Sequence, residues 1–283
     1  MKKLFLFLAI ILYTFVLNAQ PLTLKSVDAD KEFRLKLYYG NAGKGAFVQY
    51  EGKKGIIPLR VKSYVLDTLQ ARNNQPDRHY FVWEEMVNGK VHGTYQLLQM
   101  NHLIADASYI REQDRRHFLL DLAEIHNEKE DGNDQYLLHG ALISFNHFYN
   151  SNLLIEYPDG KKMTAELPFP DNPEAAQQSI IEDYNFDGYD DLAFTIPDAG
   201  MGVYHRFTIY LYNPKKKRFE KLKEPDYSRS DCSCLCDVDA NKEKKLLQTG
   251  CRGGASWHQD SYRFDKNGML QWIGKRDLSE EIE

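Results

Sequence analysis

The stretch 81-FVWEEMVNGKVHGTYQLL-98 carries the clearest structural signal in the chain. Residues 81–87 and 91–98 are rich in aromatic and β-branched side chains, which favour strands. Asn88-Gly89 lies between them and suits a two-residue hairpin turn, because both central residues of such a turn need a positive φ. We therefore predict a β-hairpin at this position.

Similar patterns extend outward from this hairpin. Residues 33–39, 46–50 and 56–65 are further strand candidates, and the glycines between them mark turns. The segment at residues 118–125 fits either a strand or a short helix, since its periodicity does not decide. The polar, charged stretch at residues 127–135 is a candidate boundary. We predict a β-rich N-terminal domain over residues 20–130, either a meander or a small barrel, and the sequence does not indicate its role.

The second half of the chain shows the same character. Residues 152–157 and 162–167 flank a Pro158-Asp159-Gly160 turn, and shorter extended runs follow as far as residue 273. Long helical patterns are scarce. We predict a mostly β protein of two β-rich domains, the second of which, residues 136–283, is an antiparallel β-sheet or sandwich-like domain carrying a calcium loop.

The first residues resemble a secretory signal. Lys2 and Lys3 precede an apolar run at residues 4–17, and Ala19 supplies the small residue before a cleavage point. The apolar run is short for a membrane span, which needs about 20 residues. We expect residues 1–19 to be a cleaved signal peptide, the mature chain to lack a membrane span, and the protein to be periplasmic or extracellular. The formal net charge of −5 makes nucleic acid a poor partner.

The four cysteines fall close together, at Cys232, Cys234, Cys236 and Cys251. Export favours disulfides. Residues 238–247 are predicted to form a hairpin with its turn near Asn241, and this symmetry brings Cys234 or Cys236 opposite Cys251. Sequence alone does not choose among the three pairings, and a thiolate metal site is the alternative interpretation.

The strongest chemical signal is the acidic segment 182-EDYNFDGYDDL-192. Asp183, Asn185 and Asp187 place oxygen donors at alternate positions, and Gly188 permits a sharp turn because it enters positive φ without steric cost. Tyr189 would add its backbone carbonyl and Asp191 a carboxylate, either directly or through water. Calcium takes about six to eight oxygen ligands, so this pattern predicts a Ca²⁺ site.

The first nine positions of this segment match the start of an EF-hand loop. The twelfth position is Phe194, however, where an EF-hand has a bidentate glutamate, and a strand-like run follows instead of a helix. We therefore expect the ligand shell to be completed by Asp190, water or a distant residue. Affinity should lie in the weak range of extracellular modules, roughly 10⁻⁴–10⁻³ M. A solvated acidic turn without metal is the alternative.

The loop followed by a strand is similar to the calcium loops of exported β-proteins of the FG-GAP and VCBS type. Residues 136–274 also resemble bacterial envelope proteins with a lysozyme-inhibitor-like fold, which include calcium-dependent immunity proteins that block peptidoglycan-hydrolase effectors of type IV secretion. The segments that carry this resemblance are residues 183–192, 204–214, Phe219, 251–255 and 262–264.

The resemblance implies a protein partner, a cell-wall hydrolase that the chain would inhibit by inserting a loop into its cleft. Related inhibitors use a small-residue loop that ends in a tyrosine. Gly200, Gly202 and Tyr204 have that character, although the serine of the related loops is missing. A second partner-binding candidate is Arg252, Gly253 and Gly254, where glycines permit a close backbone approach and the arginine can grip a carboxylate.

An enzymatic function is not what the sequence favours. Ser256, His258 and Asp260 alternate along one strand, where such neighbours lie about 7 Å apart, too far for a hydrogen-bonded relay. We expect a binding protein with no catalytic residues. A carbohydrate- or surface-adhesion module, in which calcium serves stability alone, is the alternative function.

Overall fold

A computed structural model describes residues 21–27, 31–68, 76–101, 103–124, 132–146, 152–168, 177–197, 204–253 and 256–278. The predicted signal peptide, residues 1–19, lies outside them. The prediction of a mostly β fold is confirmed, because nearly all regular structure in these residues is antiparallel strand. None of the described segments forms a helix long and apolar enough to cross a membrane.

The first eight strands form a closed barrel. They follow one another around it, and the first strand pairs with both the second and the eighth. In chain order they are β1 (Leu22–Ser26), β2 (Arg34–Tyr38), β3 (Phe47–Tyr50), β4 (Ile57–Asp67), β5 (Arg78–Val87), β6 (Lys90–Met100), β7 (Leu103–Arg111) and β8 (His117–Glu124).

The hairpin predicted at residues 81–98 is confirmed as β5 and β6. Asn88 and Gly89 have φ of 50° and 75°, as the two-residue turn requires. Strand β5 sends Phe81 and Trp83 into the barrel, where their rings stack with centroids 5.1 Å apart. The ambiguous segment at residues 118–125 contributes to strand β8, because pairing with β1 closes the barrel.

A polar cluster lies inside this otherwise apolar barrel. The Glu85 carboxyl group is buried and accepts hydrogen bonds from the Tyr109 hydroxyl at 2.6 Å and the Tyr50 hydroxyl at 3.2 Å. The Tyr50 and Tyr95 hydroxyl oxygens are 2.6 Å apart. Burial raises the pKa of Tyr109, and the hydrogen bond to Glu85 raises it further. Tyr109 and Tyr50 thus satisfy a carboxyl group that would otherwise be costly to bury, and Tyr95 bonds to Tyr50.

The remaining strands form three four-stranded antiparallel sheets. Each sheet is built from four strands consecutive in the chain. The first contains β9 (Asn133–Leu138), β10 (Ala141–Asn146), β11 (Asn152–Glu156) and β12 (Lys162–Glu166). The second contains β13 (Gln178–Glu182), β14 (Asp191–Pro197), β15 (His205–Asn213) and β16 (Arg218–Lys221). The third contains β17 (Asp239–Asn241), β18 (Leu246–Gly253), β19 (Ser256–Phe264) and β20 (Leu270–Asp277).

The second sheet is shared between two hydrophobic cores. Leu192 and Phe194 of β14 belong to the core formed with the first sheet. Ala193, between them, belongs to the core formed with the third sheet. Successive side chains of a strand point to opposite faces, so every residue of β14 from Asp191 to Ile196 is buried. The second sheet is therefore the middle layer of three.

A glycine-rich turn of the barrel contacts the second sheet. Asn41, in a short 3₁₀ turn (Asn41–Gly43), accepts a hydrogen bond from the Ile181 amide at 2.7 Å and donates one to the Ile181 carbonyl at 3.2 Å. A Cβ on Gly40 would lie 2.7 Å from the Ile181 side chain. A larger residue at position 40 would require the end of the Ile181 side chain to shift.

Candidate calcium loop and its surroundings

The acidic loop connects β13 to β14, and its two ends face each other. Glu182 and Asp191 are paired residues of the antiparallel ladder, so residues 183–190 form a closed excursion beyond the sheet. Tyr184 turns inward and is 1% exposed, whereas Tyr189 is 42% exposed. The buried Tyr184 side chain therefore pins the start of the loop to the core formed with the third sheet.

Hydrogen bonds from the loop's own amides engage the predicted ligand side chains. The Asp183 carboxylate accepts from the amides of Asp187 at 3.1 Å and Gly188 at 2.9 Å. The Asn185 side-chain oxygen accepts from the Asp187 amide at 3.0 Å, and Asp187 accepts from the Tyr189 amide at 3.0 Å. These bonds bring three of the predicted ligand side chains together on one side of the loop backbone.

The backbone turns sharply between these donors. Phe186 and Gly188 both have positive φ, 63° and 89°. Space around Gly188 is open, so the requirement for glycine is conformational and not steric. The glycine predicted to make the turn does so, and it directs two consecutive amides, at positions 187 and 188, toward Asp183.

Asp191 is the most unusual carboxyl group of the loop. It is fully buried and accepts hydrogen bonds from the amides of Tyr212 at 2.7 Å and Tyr184 at 3.0 Å. Burial raises its pKa to about 8, the two amides oppose that rise, and the nearby Asp187 and Asp183 carboxylates add to it. The Asp183 and Asp187 carboxylates therefore lie close enough to Asp191 to disfavour its charged form.

Of the acidic side chains at the loop, two form ion pairs with lysines and three do not, among the described residues. Asp190 pairs with Lys44 of the barrel turn at 2.6 Å, and Glu182 pairs with Lys242 at 3.2 Å. In the part of the chain that the structure describes, no lysine, arginine or histidine forms an ion pair with Asp183, Asp187 or Asp191. The acids at the predicted ligand positions are those left without a cation.

Asp190, one of the candidates for completing the ligand shell, makes two contacts outside the loop. Its side chain is engaged by the Lys44 ammonium, and its carbonyl oxygen lies 2.7 Å from His139 Nε2. The His139 ring stacks on Tyr212, with centroids 3.9 Å apart. Asp190 therefore fastens the loop to the barrel and to the β9–β10 hairpin, and a part in a ligand shell stays a prediction.

The donor chemistry of the loop fits calcium, although its side chains are not arranged around a metal. Carboxylate, amide and carbonyl oxygens are the ligands of hard cations. The described residues contain no group of three or more His, Cys, Asp or Glu side chains positioned to hold a metal ion. The oxygens of Asp183, Asn185 and Asp187 point instead at the loop's own amides. Each carboxylate keeps further lone pairs that a cation could use.

Three of the predicted partner-binding residues lie near the cysteine cluster. Tyr204 packs against the cluster, and Arg252 directly follows Cys251 in β18. Arg252 and Gly253 are exposed, and a Cβ on Gly253 would lie 3.4 Å from His258 Nε2. The Tyr204 and Arg252 segments thus lie in one region of the C-terminal sheets. Gly200, Gly202 and Gly254 lie outside the described residues.

All four cysteines are paired in disulfides. The bridges join Cys232 to Cys251 and Cys234 to Cys236. The predicted symmetry does place Cys236 beside the Cys251 strand, since the Gly250 amide donates to the Cys236 carbonyl at 2.8 Å. Neither Cys234 nor Cys236, the residues expected opposite Cys251, is its bonding partner. Residues 230–237 depart from the hairpin and bring Cys232 to Cys251 instead.

Ser256, His258 and Asp260 do not form a relay. Asp260 is fully buried and accepts hydrogen bonds from the amides of Asp231 and Cys232, both at 2.9 Å, and from Trp272 Nε1 at 2.8 Å. His258 faces Asp231 instead, with Nδ1 3.6 Å from the carboxylate. Asp260 therefore supports the cysteine segment, a structural role that the sequence pattern did not indicate.

Lys44 and His139 are the residues around the loop that sequence reasoning missed. Both lie far from the loop in the chain, and only the fold brings them to Asp190. The dense glycines of the segment 40-GNAGKG-45 were the one available signal, because they indicate close backbone approach as well as turns. Compared with known proteins, the chain matches no protein-family model and no curated sequence.

Proposed function

We propose that this chain is an exported calcium-binding protein whose C-terminal sheets present a surface for a protein partner, and that it is not an enzyme. One observation carries the calcium assignment. Asp183, Asp187 and Asp191 have no paired cation among the described residues, whereas the neighbouring Glu182 and Asp190 each have a lysine. A divalent ion bound by the first three would remove their mutual repulsion.

Two features support export. Residues 1–19 have the charge, apolar run and small residue of a signal peptide. The four cysteines are disulfide-bonded, and disulfides persist mainly in oxidising compartments. External calcium reaches concentrations at which a weak site of the expected affinity, roughly 10⁻⁴–10⁻³ M, is occupied.

Calorimetric titration of the mature protein with calcium tests the site. We expect one ion per chain, and we expect Asp187→Asn to weaken binding by about tenfold or more, because one ligand charge is lost. Glu182→Gln is the matched control: it removes a carboxylate from the same loop, but one that is paired with Lys242. The proposal is wrong if the native chain takes up no calcium, or if the two variants bind equally well.

The partner surface is assigned to Tyr204, Arg252 and Gly253, and the proposed partner class is a cell-wall hydrolase. Tyr204 packs against the cysteine cluster, and Arg252 and Gly253 directly follow Cys251 in β18, which supports placing the three in one surface region. The test is muramidase cleavage of purified peptidoglycan, with calcium and with chelator. The proposal is supported if the chain inhibits cleavage only with calcium, if Arg252→Ala abolishes this inhibition, and if Lys266→Ala, a change at an exposed turn residue, retains it. Unchanged cleavage would contradict it.

A carbohydrate-binding function is the second candidate, and one observation favours it. Tyr189 is 42% exposed and meets the exposed His139 ring edge to face, with centroids 5.6 Å apart, directly beside the acidic loop. Exposed aromatic rings give sugars an apolar face to stack on. This function is favoured over inhibition if purified glycans retain the native chain but not Tyr189→Ala, and if the native chain leaves muramidase activity unchanged.

A further inference from the structure

The two disulfides differ in how much of the chain they constrain. Cys232 and Cys251 are 19 residues apart, whereas Cys234 and Cys236 are separated by Leu235 alone. A disulfide stabilises mainly by restricting the unfolded chain, and the effect grows with the length of the closed loop. The Cys234–Cys236 bridge therefore contributes less to the folded state than its neighbour, and opening it destabilises the fold less.

The two bridges also differ in access. Cys232, Cys236 and Cys251 are buried, at 1%, 0% and 7% exposure, whereas Cys234 is only partly buried. Exchange requires a thiolate to reach a disulfide sulfur. Cys234 is the cysteine that an incoming thiolate can approach most readily. When the thiolate attacks Cys234 Sγ, Cys236 is the leaving thiolate.

The backbone around the short bridge is held by bonds that do not involve sulfur. The Leu235 carbonyl accepts from the Phe207 amide at 2.7 Å, and the Cys236 carbonyl accepts from the Gly250 amide at 2.8 Å. The Asp237 amide donates to the His205 carbonyl at 2.8 Å. These contacts tie the segment to β15 and β18, so the two cysteines stay close together when their bridge opens and can close it again.

We infer that the Cys234–Cys236 bridge is a redox-exchangeable disulfide that an external dithiol, a small molecule or the active site of a dithiol oxidoreductase, opens while Cys232–Cys251 stays closed. A dithiol thiolate attacks Cys234 Sγ, the bridge breaks, and Cys236 leaves as a thiolate that takes up a proton. The second thiol then attacks the mixed disulfide, which frees Cys234 as a thiol and leaves the dithiol oxidised. Two electrons pass from the dithiol to the protein.

Opening this bridge has a structural consequence for the surface above it. Tyr204 packs against the cysteine cluster, and the Arg206 backbone bridges to Cys236. The exchangeable bridge thus lies directly under one end of the Tyr204 segment. Its oxidation state would set how firmly that segment is supported.

The test equilibrates the folded mature chain in graded ratios of reduced to oxidised dithiothreitol, alkylates free thiols and maps the labels by peptide mass spectrometry. We expect labels on Cys234 and Cys236 at a dithiol ratio about tenfold lower than labels on Cys232 and Cys251, because the shorter loop stabilises its bridge less. Circular dichroism should report a folded chain while only the first pair is labelled.

A double variant, Cys234→Ser with Cys236→Ser, is the matched control. It should fold, keep Cys232–Cys251 closed and take up no label at the ratios that label the first pair. The inference is overturned if all four cysteines are labelled together, if Cys232 and Cys251 are labelled first, or if the short bridge opens only where the chain unfolds.

Discussion

The Lys44 ammonium donates a 2.6 Å hydrogen bond to the Asp190 carboxylate, and this contact joins the barrel to the acidic loop. Lys44 also donates to the Ile181 carbonyl at 3.2 Å, beside the two hydrogen bonds that Asn41 makes to Ile181. The barrel turn therefore contacts both the strand that enters the loop and the loop itself. Movement of the loop and docking of the barrel are mechanically linked.

Replacing Lys44 should loosen this junction. We expect Lys44→Met to lower the free energy of unfolding by about 1 kcal/mol, the upper range for a partly exposed ion pair, because two hydrogen bonds to the second sheet are lost. Urea unfolding measures the change. Lys242→Met is the control, since its partner Glu182 lies on the same loop but Lys242 itself is 62% exposed. Equal losses in the two variants would contradict a special role for Lys44.

Calcium should stabilise the fold through the acidic loop. An ion at about 100 times its dissociation constant adds roughly 2.7 kcal/mol to the free energy of unfolding. We expect the melting temperature of the native chain to rise accordingly and that of Asp187→Ala to rise distinctly less, because one carboxylate ligand is gone and a tenfold weaker affinity about halves the stabilisation. Glu182→Gln should rise like the native chain. A calcium-dependent rise in Asp187→Ala as large as that of the native chain would rule out this ligand assignment.

Asp134 should make the free energy of unfolding fall as pH rises. Burial raises its pKa to about 8, while a hydrogen bond from the Tyr136 hydroxyl acts in the opposite direction. Its pKa in the unfolded chain is about 3.9, so between these values the folded state holds the extra proton. Its contribution is fully present below about pH 4 and is lost as pH rises through about 8.

The comparison that isolates Asp134 is urea unfolding of the native chain and of Asp134→Asn across this pH range. Asparagine does not titrate, so the variant should lack the part of the decline that Asp134 causes. Parallel curves for the two proteins would show that Asp134 is solvated and titrates as in the unfolded chain.

The barrel should depend on the tyrosines that surround Glu85. Tyr109→Phe removes the 2.6 Å hydrogen bond to the buried carboxyl group and should lower the free energy of unfolding by roughly 1.5–3 kcal/mol. Tyr80→Phe removes a hydroxyl group from a side chain of β5 that is 37% exposed, and it should change the free energy of unfolding little. Thermal unfolding of both variants measures the two changes. Comparable losses of stability would show that the hydrogen bond to Glu85 contributes no more than an exposed hydroxyl group.

Local sequence patterns were sufficient to predict some structural elements, whereas other elements depend on contacts between residues distant in the chain. The Asn88-Gly89 turn was predictable because positive φ is a local requirement. Residues 118–125 were ambiguous because their own periodicity does not decide, and part of their strand pairing is with β1, almost a hundred residues earlier. The partner of Cys251 was not predictable, since hairpin symmetry indicated Cys234 or Cys236 whereas the irregular path of the cysteine segment brings Cys232 to it.

The acidic loop shows the same division. Alternating donors and Gly188 predicted the turn and the gathering of Asp183, Asn185 and Asp187, because these relations span only a few residues. The pairing of Asp190 with Lys44 could not be predicted, since it depends on how a turn 146 residues away packs against the second sheet. Calcium binding itself stays a prediction.

The double burial of β14 restricts how this protein can diverge. A surface strand can change its outward residues freely, but each position from Asp191 to Ile196 must suit one of two separate interiors. Because the strand also begins with the aspartate that anchors the loop, the stretch from Asp183 to Ile196 should change more slowly than its surroundings. Distant relatives should be recognisable by this short segment after the rest of their sequences has drifted apart.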